Sequence, residues 1–327
     1  MIIVALLILL GLFVVFMGTF IVDIIKRIHS EKKYHVREII TGYMLLIPAV
    51  VLAFFFVVLP IFFSLGYAFT DFDLLHPNLS DIHYIGFENF IALIEEFKNH
   101  GEIYYSLRNT ALFVVLVVPL QIGMALLLAL FCNNKRPGTT IFKICFFAPV
   151  AISLSVTAFL WLVILSPNPN GIMNAILGNF GIDAQDFLGN KDTVILWMVV
   201  ISAWQGCGYQ MLIFLSALGN VRKDLYEAAR VDGANVFQRF FTVTVPGLRP
   251  TFLYILITVF IGACRVMIQP MLLTGYQDRS MTLSYYIYTQ GFTYRHVGYS
   301  CAVALMMTII MGTITFVQRK LLGEKKK

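Results

Sequence analysis

Charge is scarce in this chain. Asp, Glu, Lys and Arg make up 13% of its 327 residues, about half the share of a soluble domain. Hydrophobic residues make up 59%, which excludes an ordinary soluble globule. The scarcity is sharpest where chemistry would need charge. Apart from Asp23, at the inner end of the first apolar run, no acid falls inside such a run. An ion-coupled secondary transporter needs carboxylates at mid-membrane, so that class is disfavoured. Cysteine is sparse too. Cys132, Cys145, Cys207, Cys264 and Cys301 lie in or at the ends of apolar runs, with no C-x-x-C pair and no Cys/His cluster. Neither a disulfide framework nor a zinc site is expected. No G-x-x-x-x-G-K-[ST] occurs, so the chain does not bind ATP through a P-loop. His29, His35, His76, His83, His100 and His296 are scattered over loops without a nucleophile–base constellation. No catalytic residue is expected, and the chain reads as a non-enzyme.

What is present is a series of apolar runs, each long enough for a spanning helix, which takes about 20 residues. There are seven, at 2–25, 42–69, 107–132, 141–166, 193–219, 251–273 and 297–318. The first lacks a positive n-region and an A-x-A site, so it reads as a retained helix and not as a cleaved signal peptide. The pattern predicts an all-α, polytopic membrane protein. A β-barrel would show short alternating segments instead.

The few charges set an orientation. Eighteen of the 24 Lys and Arg residues fall in or at the edges of the segments after the first, third, fifth and seventh runs. The other connecting segments hold five, Lys98, Arg108, Lys191, Arg279 and Arg295, and Arg265 lies inside a run. Excess Lys and Arg marks the cytoplasmic side. The N-terminus is therefore expected outside and the C-terminus in the cytoplasm, and the basic balance carries no suggestion of nucleic acid. The outer segments, about 71–107 and 167–192, are too short for a core of their own. They are acidic (Asp71, Asp73, Asp81, Glu88, Glu95, Glu96, Glu102). That suits a solvated loop or a docking face for an extracellular partner.

One cytoplasmic segment is patterned, "LYEAARVDGANVFQRFFTVTVP", Leu225 to Pro246. It reads as two short helices. Asp224 can cap the first, Leu225 to Val231, and Gly233 breaks it. Asn235 caps the second, Val236 to Val245, and Pro246 ends it. Val236, Phe237, Phe240 and Phe241 share a face opposite Gln238, Arg239 and Thr242. The physics allows an amphipathic loop on the inner leaflet or a helix laid into another protein's groove.

Glu227-Ala228-Ala229, three residues, Gly233, nine residues, then Val243-Thr244-Val245-Pro246 resembles the EAA loop, E-A-A-x3-G-x9-I-x-L-P, of binding-protein-dependent ABC importer permeases. Val stands for Ile and for Leu, and the spacing matches throughout. "LLIPAVVLAFFFVVLPIFFSLGYAFTDFD" (45–73), "YIGFENFIAL" (84–93) and "SLRNTALFVVLVVPLQIGMALLLALFCN" (106–133) are similar to segments of carbohydrate permeases. "LYEAARVDGA" (225–234) and "LSYYIYTQGF" (283–292) fit the maltose-type, oligosaccharide branch. The first run has no counterpart in the six-helix core of that family, and the large inserted outer domain of some maltose permeases is missing.

The resemblance implies three regions. Residues 1–40 are an extra N-terminal transmembrane helix with a basic linker. Residues 41–320 are the permease domain, with the EAA loop at 224–246, and 321–327 are a basic tail. It implies a multi-pass protein of a bacterial or archaeal cytoplasmic membrane that moves a sugar or oligosaccharide. Its partners would be a second permease subunit, a dimer of ABC ATPase subunits and an extracytoplasmic sugar-binding protein. ATP and Mg would belong to the ATPase, with no cofactor on this chain. Glu227, Ala228, Ala229, Gly233, Phe237, Phe240, Phe241 and Pro246 would form the ATPase-coupling surface. For the substrate path, Ser202, Gln205, Gly206 and Tyr209 share a stripe of the fifth run and Thr258, Gly262, Arg265 and Gln269 one of the sixth. By resemblance, Trp204, Gly206 and Tyr209 match the W-x-G-x-x-Y segment that contacts sugar. Simple helix packing by small and polar residues explains the same stripes. Arg265 in a span costs roughly 2.5–3.5 kcal/mol, so it should meet a cavity, a partner or an anionic, uronate-type saccharide. A non-translocating assembly or regulatory subunit is the other open reading.

Overall fold

The computed structural model describes residues 36–75, 82–133, 138–275 and 279–322. The expected first span, 2–25, its linker up to residue 35 and the tail from 323 lie outside the described residues. Regular structure there is helical, with one isolated bridge between Thr70 and Tyr84 as the only β feature among the described residues. Among the described residues, four helices are long and apolar enough to cross a membrane, and two bent pairs raise that number to six if each pair is one span. The chain divides into two units, Met1–Ile91 with Gln290–Leu305, and Ala92–Thr289 with Met306–Lys327.

In the first unit, α1 (Val36–Ala53) passes through a π-turn (Phe54–Val58) into α2 (Leu59–Tyr67). The π-turn has a cause in the sequence. Pro60 has no N–H, and its ring would strike the carbonyl four residues back. Widening the turn, so that Leu59 N–H bonds Phe54 O, avoids that clash. Beyond α2, Asn89 Nδ2 donates to the carbonyls of Ala68 (3.0 Å) and Thr70 (2.9 Å). The Gly298 N–H donates to Phe72 O at 2.8 Å. A Cβ on Gly298 would lie 2.1 Å from Thr70 O, so only glycine fits.

The helices α3 (Glu88–Lys98) and α15 (Val297–Leu322) belong partly to each unit. The second unit is built on α4 (Glu102–Cys132) and α8 (Val194–Asn220). Ala125, Ala129 and Cys132 of α4 share a buried cluster with Cys207, Met211 and Phe214 of α8. Small residues let membrane helices approach closely. A Cβ on Gly208 would lie 2.1 Å from Phe146 O of α5 (Thr139–Phe147), so α8 and α5 touch backbone to backbone.

Two expected spans are broken. The run 141–166 bends by 103° between residues 151 and 154, where a 3-10 turn (Ala148–Ala151) gives way to α6 (Leu154–Ile164). Ile152 and Ser153 are extended there, and Ser153 Oγ accepts the Val156 N–H at 3.3 Å. The run 251–273 is not one helix either. Its helix, α12 (Arg249–Cys264), ends where Arg265 caps it, and α13 (Ile268–Leu273) begins after three residues. Pro270 forbids a continuous helix through Val266 O. The freed carbonyls find donors far along the chain: Thr282 Oγ1 to Val266 O at 2.6 Å and Ser284 Oγ to Cys264 O at 3.1 Å. Inside a bilayer such a break survives only where its backbone is paired or lines a cavity. The remaining helices are α7 (Ile172–Gly178), α9 (Lys223–Val231), α10 (Val236–Arg239), α11 (Val245–Gly247) and α14 (Leu283–Tyr288).

Candidate functional site

Both breaks open on one cleft of about 600 Å³ in the second unit. Val150, Ile152 and Leu154 line it from the first break, and Arg265, Val266 and Met267 from the second. From α8 come Ser202, Gln205, Gly206 and Gln210, from α4 Phe113, Val117 and Gln121, and from α12 Thr258 and Gly262. Gln269 completes it from α13. Of the nine residues expected on a substrate path, Ser202, Gln205, Gly206, Thr258, Gly262, Arg265 and Gln269 thus share one cavity.

Trp204 and Tyr209 are not among its lining residues. Trp204 stands edge-on to Trp161, with centroids 5.8 Å apart, and Tyr209 is 47% exposed. The turn after Gly206 is continued towards the cleft by Gln210 instead. Sequence reasoning missed Gln210 and Gln121. Gln121 was a visible signal, an amide in the middle of an apolar run. It also explains Gly206, since a Cβ there would lie 2.1 Å from Gln121 Nε2.

The cleft holds a hydrogen-bonding set. Ser202 Oγ donates to Gln269 Oε1 at 2.8 Å, joining α8 to α13. Gln205 Nε2 donates to Ile152 O at 3.0 Å, which pairs one carbonyl of the first break. Oε1 of Gln205 and of Gln210 is buried and accepts no hydrogen bond from the described residues. A buried acceptor left unmet costs roughly 1–3 kcal/mol, so each such oxygen favours a ligand that brings a donor. Arg265 is exposed to the cleft and makes no ion pair among the described residues.

The patterned loop lies at the C-terminal end of α8. Its first helix, α9, is capped by Arg222 and not by Asp224 as expected. Asp224 sits in the first turn, where its carboxylate takes the Leu225 N–H at 3.1 Å and pairs with the Arg222 guanidinium. The hydrogen bond from Arg222 holds the Asp224 carboxyl below the ordinary carboxylate range. At the other end, Gly233 has φ +79°. Its N–H bonds Arg230 O at 3.1 Å, and the Ala234 N–H bonds Ala229 O at 2.9 Å, which is a Schellman close. Asn235 and Gln238 form a reciprocal capping box on α10. Pro246 does not end the second helix as expected. A π-turn (Phe240–Thr244) precedes it, as one precedes Pro60, and carries the chain into α11. The turn comes after Gly247, where the axis bends by 68° into α12.

Inside the loop the apolar residues divide. Val243, Thr244 and Leu248 are buried, and Tyr226 Oη bonds Thr244 Oγ1 at 2.9 Å, joining the two ends of the loop. Val231, Val236, Phe237 and Phe241 are exposed, Phe237 at 77% and Val231 at 88%. Phe240 is half-buried, edge-on to Phe241. Glu227 and Ala228 are exposed and Ala229 is half-buried. The motif is therefore displayed, with Phe237 and Phe241 uncovered by the described residues.

A family model described as the binding-protein-dependent transport system inner membrane component matches residues 121–326. The chain belongs to this family. It is a multi-pass, inner-membrane permease component of an ABC transport system. Its relatives include the probable ABC transporter permease protein YesP of Bacillus subtilis (strain 168), 34% identical over 90% of this chain and 93% of that one. The arabinooligosaccharides transport system permease protein AraP of the same organism is 32% identical over 75% and 78%. Among solved structures, a chain of a bacterial ABC transporter involved in the import of the acidic polysaccharide alginate superposes with a TM-score of 0.75. It is 22% identical, covering 90% of this permease and 99% of that chain. That likeness establishes the helical permease fold.

Proposed function

We propose that this permease is one of two membrane halves of an importer for a sugar or oligosaccharide. Its cleft between α4, α8 and α12 forms part of the route, and its exposed loop receives the stroke of a partner ATPase. The observation that carries the reading is the unmet amide oxygens of Gln205 and Gln210 beside the Ser202–Gln269 pair. A saccharide brings a dense set of hydroxyl donors to such acceptors. A purely regulatory subunit has no use for them. AraP, named for arabinooligosaccharides, supports a saccharide as cargo.

In this mechanism ATP and Mg are held by the ATPase dimer, and no covalent chemistry is done on the sugar. Closure of the dimer moves a groove that grips Phe237, Phe240 and Phe241, with Glu227 making polar contacts beside it. Gly233 and the π-turn before Pro246 keep α9 and α10 at a fixed angle, so the motion passes into α8 and α12 as a rigid displacement. A binding protein delivers substrate on the outer side, with the N-terminus outside and the C-terminus in the cytoplasm. The test is a complete transporter, with both permeases, the ATPase and the binding protein, in proteoliposomes. ATP-driven uptake of an oligosaccharide is expected. Glu227→Lys should insert and pair normally yet lose uptake, with the ATPase washing off. A complete, ATP-hydrolysing complex that moves no saccharide contradicts the reading.

A further inference from the structure

A second cleft, of about 480 Å³, opens at the N-terminal end of α8, the end away from the coupling loop. Arg108, Lys191 and Arg279 line it, facing the single carboxylate Asp192, with Tyr105 and Asn109 beside them. These cations are three of the five that the outer segments hold, on a side that is otherwise acidic. Their gathering in one recess is therefore no reflection of composition. Arg108 and Lys191 are exposed and make no ion pair among the described residues. The Arg279 guanidinium is anchored on Gly189 O, which fixes its place in the lining of the cleft.

The recess continues the line of the inner cleft. On α4, Asn109 lines the outer cleft, and Phe113, Val117 and Gln121, each four residues further on, line the inner one. Between them lies an apolar layer, with Phe113, Ile195, Met198 and Leu273 all buried. Arg265 stands in the inner cleft without a carboxylate. The C-terminal dipole of α12 favours a cation there, and a charge at membrane depth pairs with an opposite charge or lines a polar path. The lining of the cleft offers Arg265 no carboxylate, so an anion from outside the described chain would complete the site.

Resting on the import reading above, we propose that the substrate is an anionic saccharide. Its carboxylates are met first at Arg108, Lys191 and Arg279 and then, past the apolar layer, at Arg265. Docking of acidic side chains from a binding protein would also use outer cations, at a rim. It gives no account of a recessed site or of the unpaired arginine deeper on the same helices.

The test uses the complete transporter in proteoliposomes, with uronic-acid trisaccharides and their carboxyl-reduced, neutral counterparts as probes. The uronates should be taken up at least tenfold faster than the neutral forms. The double variant Arg108→Gln/Lys191→Gln should raise the half-saturating uronate concentration about tenfold, without weakening the binding protein's affinity for the transporter. Lys98→Gln, an outer cation that does not line the cleft, should behave as the parent. Rising ionic strength should slow the parent and not the double variant, because exposed charges are screened. Uptake of the neutral forms at equal or greater rate overturns the inference and leaves sugar import standing. Weaker docking of the binding protein in the double variant also overturns it and assigns the cleft to that partner. Uptake of no saccharide of either kind overturns the import reading itself.

Discussion

Replacing Gly233 isolates the loop geometry from every other property of the permease. The residue sits at φ +79°, and a Cβ built there meets nothing within 4 Å. A substitution therefore carries no steric clash, and its penalty is backbone strain alone. For an ordinary L-residue the left-handed conformation costs about 1–2 kcal/mol, and Asn visits it more cheaply. If residue 233 leaves that conformation, the bonds from Gly233 to Arg230 O and from Ala234 to Ala229 O both open. The relation between α9 and α10 is then lost. A shift of 1–2 kcal/mol changes a population by a factor of about 5–30. Gly233→Ala should thus weaken binding of the ATPase to the permease pair by about that factor, Gly233→Asn by less, and the β-branched Gly233→Val by more. The assay is titration of the ATPase onto permease pairs in lipid nanodiscs, with thermal unfolding of the permease as a control that stays unchanged. Equal affinities for the glycine and alanine forms would refute the role of this turn.

Gly208 and Gly206 should behave differently although they are neighbours. Gly208→Ala drives a Cβ against the Phe146 backbone and should cost at least 1–3 kcal/mol of stability, read as a lower Tm. Gly206→Ala meets only the movable end of Gln121, so Tm should hardly change while uptake falls, because that amide is pushed into the cleft. Thr282→Val strips the donor from Val266 O and should cost about 1–3 kcal/mol, again as a lower Tm. A reporter active only in the cytoplasm should work after Lys327 and be silent within Pro77 to His83. The reverse result would overturn the expected orientation.

The apolar runs among the described residues and the spacing of the loop motif were legible because their signals are local. Apolar length marks a helix, and Glu227 to Pro246 carries its own spacing. The polar stripes of α8 and α12 were legible for the same reason, since helical period places Ser202, Gln205 and Gly206 together. The breaks were harder to read. Pro149, Ser153 and Pro270 hinted at them, but whether a membrane helix opens there depends on where the freed carbonyls find donors. Thr282 and Ser284 supply these only through tertiary packing. Tyr209 shares the stripe by period yet does not line the cleft, while Gln210 does, and only the packing of α8 decides that. The cap expected at Asp224 falls two residues earlier, where Arg222 takes it through its extended backbone without a side-chain bond.

The most direct test asks whether the cleft is the route. Ser202→Cys places a thiol in the cleft and Tyr209→Cys places one at an exposed position of α8 that does not line it, each in a transporter whose native cysteines have been replaced. After reaction with a bulky thiol reagent, the Ser202→Cys transporter should lose ATP-driven saccharide uptake, and substrate present during labelling should protect it. The labelled Tyr209→Cys transporter should keep transporting. Loss of uptake in the Tyr209→Cys form, with the labelled Ser202→Cys form fully active, would contradict the account.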